Sequence, residues 1–206
     1  MVVKPKISKY IDEIVLYEDI LCEDISDLLI KDQDIHFNIL DIQFDGCKFV
    51  NVDFSKVIFK NISLIDCIFE KCDLSNADFD SQGIHRCYFD SCKLVGCNFS
   101  SSSLKDIFIN GCKCNYVNFS NSKINNILIK DSCLDESSFI GTEFKKIDFD
   151  NCSFIKGEFL NTSLSEIDFS NCNIEGIACD LKSIRGMIIN EMQALMLVKI
   201  LGVAIK

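Results

Sequence analysis

Between residues 44 and 179 the large hydrophobic side chains of this chain recur every five residues. Starting at Phe44, 28 consecutive steps of five pass without insertion or deletion and land on 15 Phe, six Leu, five Ile and two Cys. Fifteen of the 17 Phe therefore fall in one residue class out of five, far beyond chance. A second class lies two residues before each of these, from Ile42 to Ile177. It holds nine Cys, seven Ile, four Ser, three Val, two Thr and single Ala, Gly and Gln residues, and is small or β-branched throughout apart from Gln82. The other three positions of each five are mostly Asp, Asn, Ser, Lys or Glu. A period of five fits neither a strand nor a helix. Positions two apart share one face of an extended segment, so two side chains of every five point inward, and a turn after each short run starts a new wall. Four such walls close a square coil of 20 residues.

Coils of this kind stack into a solenoid by backbone pairing, with the large residue on the axis and the small one in the corner. In the stretch CKFVNVDFSK, Phe49 and Phe54 fill the axis from adjacent walls and Cys47 and Val52 sit beside them. Asn51, Asn61, Ser81, Asn121, Asn151, Asn161 and Asn171 fall two residues after the large position, where a turn is needed. Segments such as CDLSNADFDS resemble the A(D/N)LXX pattern of pentapeptide repeat proteins. The resemblance covers about 140 residues and implies an all-β solenoid, the right-handed quadrilateral β-helix.

The frame changes at both ends. Ile20, Ile25, Ile30 and Ile35 keep the spacing but sit one residue out of phase, and the positions two earlier, Glu18, Glu23, Leu28 and Gln33, suit a corner poorly. Residues 1–38 are read as an N-terminal cap, irregular or a degenerate first coil, and residues 39–180 as the repeat. Residues 181–206 are read as a C-terminal capping helix and dimerisation tail. An open solenoid end exposes core and unpaired backbone, so caps are expected. In the tail, Asn190 is placed to cap a helix, with Glu191 in its first turn and Gly202 as its stop. Met192, Leu195 and Met196 form one apolar stripe and Ala194, Leu197, Val198 and Leu201 another, so the helix is predicted to be covered on two sides. One side covers the coil end, and the other fits a second copy. The tail is similar to those of Qnr-type and MfpA-type pentapeptide repeat proteins, which implies a homodimer through Met192, Leu195, Met196, Leu197, Val198 and Leu201.

A net charge of −10 and a pI near 4.7 offer no basic field for nucleic acid or an anionic membrane. No apolar run approaches the length of a membrane span, and MVVKPKISKY lacks the features of a signal peptide. The expected compartment is the cytoplasm, where the 13 Cys are reduced thiols. Cys72, Cys92, Cys112, Cys152 and Cys172 stack on one wall, but parallel thiols do not converge as metal ligands must, so neither metal nor cofactor is expected. Cys133 precedes Leu134 and points outward, a candidate for an intermolecular disulfide, and Cys22 is a weaker one. His36 and His85 lie far apart and the acidic residues do not converge, so no catalytic residues are assigned. One outward column is apolar: Ile68, Tyr88, Phe108 and Leu128, at 20-residue spacing, followed by Asp148 and Asp168. It reads as ordinary cross-coil strand pairing, as surface covered by the N-terminal cap, or as a contact surface for a partner.

The family resemblance implies a non-catalytic interaction module whose partner is DNA gyrase or topoisomerase IV, engaged as a partial DNA mimic, with a weak quinolone-resistance-like role. Residues 42–180 hold 20 acidic and 13 basic residues, far short of the charge on duplex DNA of the same length. The unbroken frame leaves no room for loops projecting from the coil, which many protective members carry. The alternative is a structural or scaffold rod with an unrelated partner.

Overall fold

The five-residue period closes into four walls in the computed structural model, which describes residues 2–18, 24–198 and 203. Every strand pairing is parallel and most join residues 20 apart. The first wall stacks β2 (Ile25–Ser26), β5 (Gln43–Asp45), β8 (Ser63–Ile65) and β10 (Gly83–His85). The second stacks β1 (Asp12–Ile14), β3 (Leu28–Asp34), β6 (Lys48–Asp53), β9 (Ile68–Glu70) and β11 (Tyr88–Asp90). Both walls then run into β12 (Ser103–Asn110), β13 (Lys123–Lys130) and β14 (Glu143–Asp150), which bend through the corner between them. The third wall is a column of single bridges from Asp53 through Asp73, Lys93, Lys113, Cys133 and Ser153 to Asn173. The fourth begins with β4 (Ile39–Leu40) on β7 (Phe59–Lys60) and continues by bridges from Asp78 to Ala178. The fold is the right-handed quadrilateral β-helix.

The large class fills the axis as the period requires. Phe59, Phe79, Phe99, Phe119, Phe139 and Phe159 form one continuous ring stack with centroids 4.9–5.4 Å apart, the spacing of stacked strands. A void of only about 10 Å³ lies among the rings near Phe44 and Phe69, lined by Phe, Ile and Leu alone, so it offers no polar partner to hold a water. The small class does more than fit the corner. Most of its Cys, Ser and Thr donate to a carbonyl 23 residues earlier, in the preceding coil: Cys67 Sγ to Phe44 O at 3.4 Å, Cys92 Sγ to Phe69 O at 3.3 Å, Ser102 Oγ to Phe79 O at 2.6 Å and Thr142 Oγ1 to Phe119 O at 2.8 Å, while Ser122 and Ser132 donate within their own coil and Ser137 Oγ has no partner. Cys, Ser and Thr therefore interchange there because each supplies one short donor.

Nearly every corner is turned by a residue of positive φ, Lys56 and Asn171 being exceptions. Asn51, Asn61, Ser81, Asn121, Asn151 and Asn161 all take φ between 51° and 60°; Asn171 does not share this conformation. Corner side chains also pair between coils, as in Asn61 Nδ2 to Asp41 Oδ1 at 2.9 Å and Asn151 Nδ2 to Asp131 Oδ1 at 2.6 Å.

The ladder continues through both frame changes. Ile25 and Ile30 register with Phe44 and Phe49, 19 residues on, and Ile35 donates its amide to Asp53 O at 2.9 Å. The step from Ile35 to Ile39 is four residues instead of five, which absorbs the shift, and all four Ile are buried. At the other end Ile184 and Ile189 remain in frame and pack partly against the core, with Leu164 N donating to Ser183 O and Phe169 N to Ile188 O at 2.9 Å each. The helix α1 (Glu191–Leu197) closes that end.

Candidate interaction surfaces

With the axis filled, the outward residues carry whatever recognition the molecule has. The apolar column lies in one register: Ile68 pairs with Tyr88, Tyr88 with Phe108, Phe108 with Leu128, and Leu128 with Asp148. All four apolar members are half-buried rather than exposed, while Asp148 is exposed. Tyr88 and Phe108 meet edge-to-face at 5.2 Å, and burial raises the Tyr88 phenol above its ordinary value. Neighbouring coils cover much of this column, which leaves less surface than an exposed ladder would offer.

Beside the column runs a strap the hydrophobic pattern did not reveal. The Val3 amide donates to Asp106 Oδ1 at 3.3 Å and the Lys6 amide to Asp66 Oδ1 at 2.9 Å. Residues 3–6 thus cross two coils along the corner formed by Asp66, Arg86 and Asp106. Arg86 grips Asp66 with two hydrogen bonds, Nε to Oδ1 at 2.7 Å and Nη2 to Oδ2 at 2.6 Å. Burial works to raise the Asp66 carboxyl, but the Arg86 guanidinium and the Lys6 amide outweigh it and hold the pKa below the usual carboxylate value. Nothing in a five-residue period marks a segment outside the frame that binds through its own backbone.

Each solenoid end is clipped by a glutamine. At the N-terminal end Gln33 accepts from Leu16 N and donates to Ile14 O, both at 2.9 Å; its poor fit to a corner reflects this role. At the C-terminal end Gln193 is buried in α1 and donates Nε2 to Phe169 O at 2.8 Å and Cys172 O at 2.7 Å. The same side chain accepts from Asn190 N at 2.8 Å while Asn190 Oδ1 accepts from Gln193 N at 3.0 Å, a reciprocal capping box. The Asn-x-x-Gln spacing carries that signal in the sequence.

α1 sorts its apolar residues by side. Met192, Leu195 and Met196 are 68%, 49% and 41% exposed, and Val198 is half-buried. Leu197 belongs to the core at 9% exposure, so it seals the coil end and is not available to a partner, contrary to its assignment to the dimer face. Leu201 and Gly202 lie outside the described residues.

The thiols are mostly inert. Burial pushes the Cys47 pKa up to about 12 and raises the Cys97 and Cys114 thiols too. Cys133 is half-buried: its Sγ donates to Asp135 Oδ2 and accepts from Asn115 Nδ2, each at 3.2 Å, and burial raises its pKa too. That arrangement works against ready disulfide exchange. Cys22 lies outside the described residues. Among the described residues no three His, Cys, Asp or Glu side chains converge on a metal position, and no helix is long and apolar enough to cross a membrane.

Family comparisons agree with this geometry. The pentapeptide repeat region matches residues 62–139, and pentapeptide repeats in eight copies match residues 42–81 and 132–176. The chain belongs to the pentapeptide repeat family. Among solved pentapeptide repeat structures it is similar to a trypsin-treated form of QnrB1, a plasmid-mediated fluoroquinolone resistance protein, at 22% identity over 89% of this chain and 99% of that one, with a TM-score of 0.49. It is also similar to HetL, a pentapeptide repeat protein involved in heterocyst differentiation regulation in the cyanobacterium Nostoc sp. strain PCC 7120, at 11% identity over 78% of this chain and 86% of that one, with a TM-score of 0.40. No curated protein sequence matches the chain. The family matches begin at residue 42, so the strap and the shifted first coil lie outside them.

Proposed function

We propose that this protein is a non-catalytic, rod-like interaction module of the cytoplasm that engages a type II topoisomerase, DNA gyrase or topoisomerase IV, as a local mimic of duplex DNA. The observation that supports this is where the charge lies along the rod. Residues 42–130 hold nine acidic and ten basic residues, whereas residues 131–180 hold 11 acidic and three basic, a net of −8. Those 50 residues make two and a half coils, about 12 Å at the usual strand spacing. Duplex DNA carries about seven phosphates over the same length. The charge density of DNA is therefore matched in the last coils, although the repeat as a whole falls far short of it. The exposed Met192, Leu195 and Met196 stand at this same end. Pairing two copies through them brings two acidic segments together and lengthens the mimic.

A second reading, a scaffold rod with an unrelated partner, draws on the near-neutral coils of residues 42–130. Supercoiling by the host gyrase separates the two. The DNA-mimic reading expects inhibition at micromolar protein, relieved in the double variant Asp148→Lys/Asp168→Lys, and only weak protection of gyrase from a fluoroquinolone. No effect with or without the drug leaves the scaffold reading. Light scattering across a dilution series reads the dimer separately.

A further inference from the structure

We infer that the first wall, together with the N-terminal strap, is a docking surface for an acidic, extended segment of a partner protein. In a chain of net charge −10, this wall is the exception. Its outward residues include the exposed Lys105, Lys123 and Lys145, and Lys146 stands at the adjoining corner. Among the described residues none of these four forms an ion pair, and they stand together on one wall and its corner, whereas the likewise unpaired Lys56, Lys60 and Lys113 are spread over other walls. Lys105 and Lys145 stand in one register with Asn125 between them, so their backbones are about 10 Å apart. Lys123 sits across the wall from Asn125.

The lysines border a shallow depression of about 320 Å³ with the half-buried Phe144 in its lining. The strap adds to the same edge. Its backbone is fixed to Asp106 and Asp66, and its exposed Lys4 and Lys6 lie along the corner next to this wall. Asp66 is neutralised by Arg86, and Asp106 is buried beneath the strap and bonded to the Val3 amide, which leaves Glu143 as the exposed acidic residue of the depression.

Charge complementarity selects an anionic occupant, and the extent of the patch selects its kind. Carboxylates at alternate residues of an extended peptide are about 7 Å apart, within reach of lysines whose backbones are about 10 Å apart. The patch is only three coils deep, and the last coils around it are strongly acidic. A long, uniformly charged duplex placed there meets repulsion beyond the patch, whereas a short acidic peptide does not.

Fluorescence anisotropy of the full chain with a labelled oligoglutamate peptide, and with a labelled DNA duplex of equal charge, tests the assignment. The wild type is expected to bind the peptide at low salt, more weakly as salt rises. The triple variant Lys105→Gln/Lys123→Gln/Lys145→Gln is expected to bind about tenfold more weakly. The control Lys56→Gln/Lys60→Gln/Lys113→Gln, on other walls, changes net charge equally and is expected to retain wild-type affinity. All six lysines are outward-facing, so each variant keeps the fold, checked by an unchanged melting curve. The proposal fails if the wild type does not bind the peptide, if the control loses as much as the triple variant, or if the duplex binds more tightly than the peptide.

Discussion

At the residue scale, this fold is limited by its corners. Many corner residues here are not glycine yet hold φ near +55°, a conformation that costs most side chains roughly 1–2 kcal/mol. Asn and Asp tolerate it best, which is why they crowd the position two after the axis residue. Gly141 takes φ 67°, and a Cβ added there would stand 2.7 Å from Asn121 Oδ1 in the coil before. Gly141→Ala is therefore expected to destabilise by about 1 kcal/mol, the backbone strain being partly offset by the lower entropy of the unfolded chain. Gly141→Asn is expected to cost less than Gly141→Ala, because Asn adopts this region more readily. Urea denaturation of the two variants checks the order, and an alanine variant as stable as wild type removes the strain argument. Inward residues and corners were legible because each repeats with the period. The hydrogen bond from the small class to the previous coil was not legible: volume alone explains Cys, Val and Ile, and only the stacking of the coils brings most Cys, Ser and Thr donors to a carbonyl.

At the scale of elements, the ends depart from the repeat and are held by single polar side chains. Gln193 joins α1 to the last coil through Phe169 O and Cys172 O and also completes the helix cap. Removing it leaves Cys172 O without a donor, at about 1–3 kcal/mol, while Phe169 O keeps the Cys172 amide, and it also removes the helix cap's reciprocal bond. Gln193→Ala is expected to lose about 3 kcal/mol in chemical denaturation. Gln193→Glu is expected to lose a similar amount, since a carboxylate has no proton to donate to the carbonyls. Wild-type stability in the glutamate variant would mean that the clip acts by packing and not by its donors. The sequence pattern located this helix, its Asn190 cap and its two apolar sides, because those depend on local spacing. It placed Leu197 on the partner side, because two stripes of similar size do not say which one meets the coil end. Gln33 and the strap were hidden for a related reason: each acts through hydrogen bonds across coils from outside the regular frame.

At the scale of the whole molecule, charge sets the conditions under which the rod survives. The 31 acidic residues outnumber the 21 Lys and Arg, so mild acidification first relieves self-repulsion. A second effect opposes this. Ser55 hydrogen bonds lower the Asp53 pKa, and Lys130 lowers that of Asp150. Asp180 is lowered to about 2 by the amides of Asn161 and Ser183, with the Ser183 hydroxyl and Lys182 amide adding to it. A carboxyl whose folded pKa lies below its unfolded value stabilises the fold fully above the unfolded pKa, near 4, and loses that contribution as pH falls through the folded one. As these groups protonate, the chain also loses its negative charge and 21 Lys and Arg remain, so repulsion returns with the opposite sign. Melting temperature is therefore expected to fall steeply from about pH 4 towards pH 2. Asp180→Asn tests one component: Oδ2 accepts from Asn161 N and Ser183 Oγ while Oδ1 accepts from Lys182 N and Ser183 N, and an amide with a single acceptor oxygen cannot serve both pairs, so the variant is expected to melt below wild type at pH 7. Near pH 2, where wild-type Asp180 is itself half protonated, the two melting curves are expected to converge. A gap of equal size at both pH values would assign the effect of Asp180 to shape, and the acid sensitivity of the rod to the excess of positive charge alone.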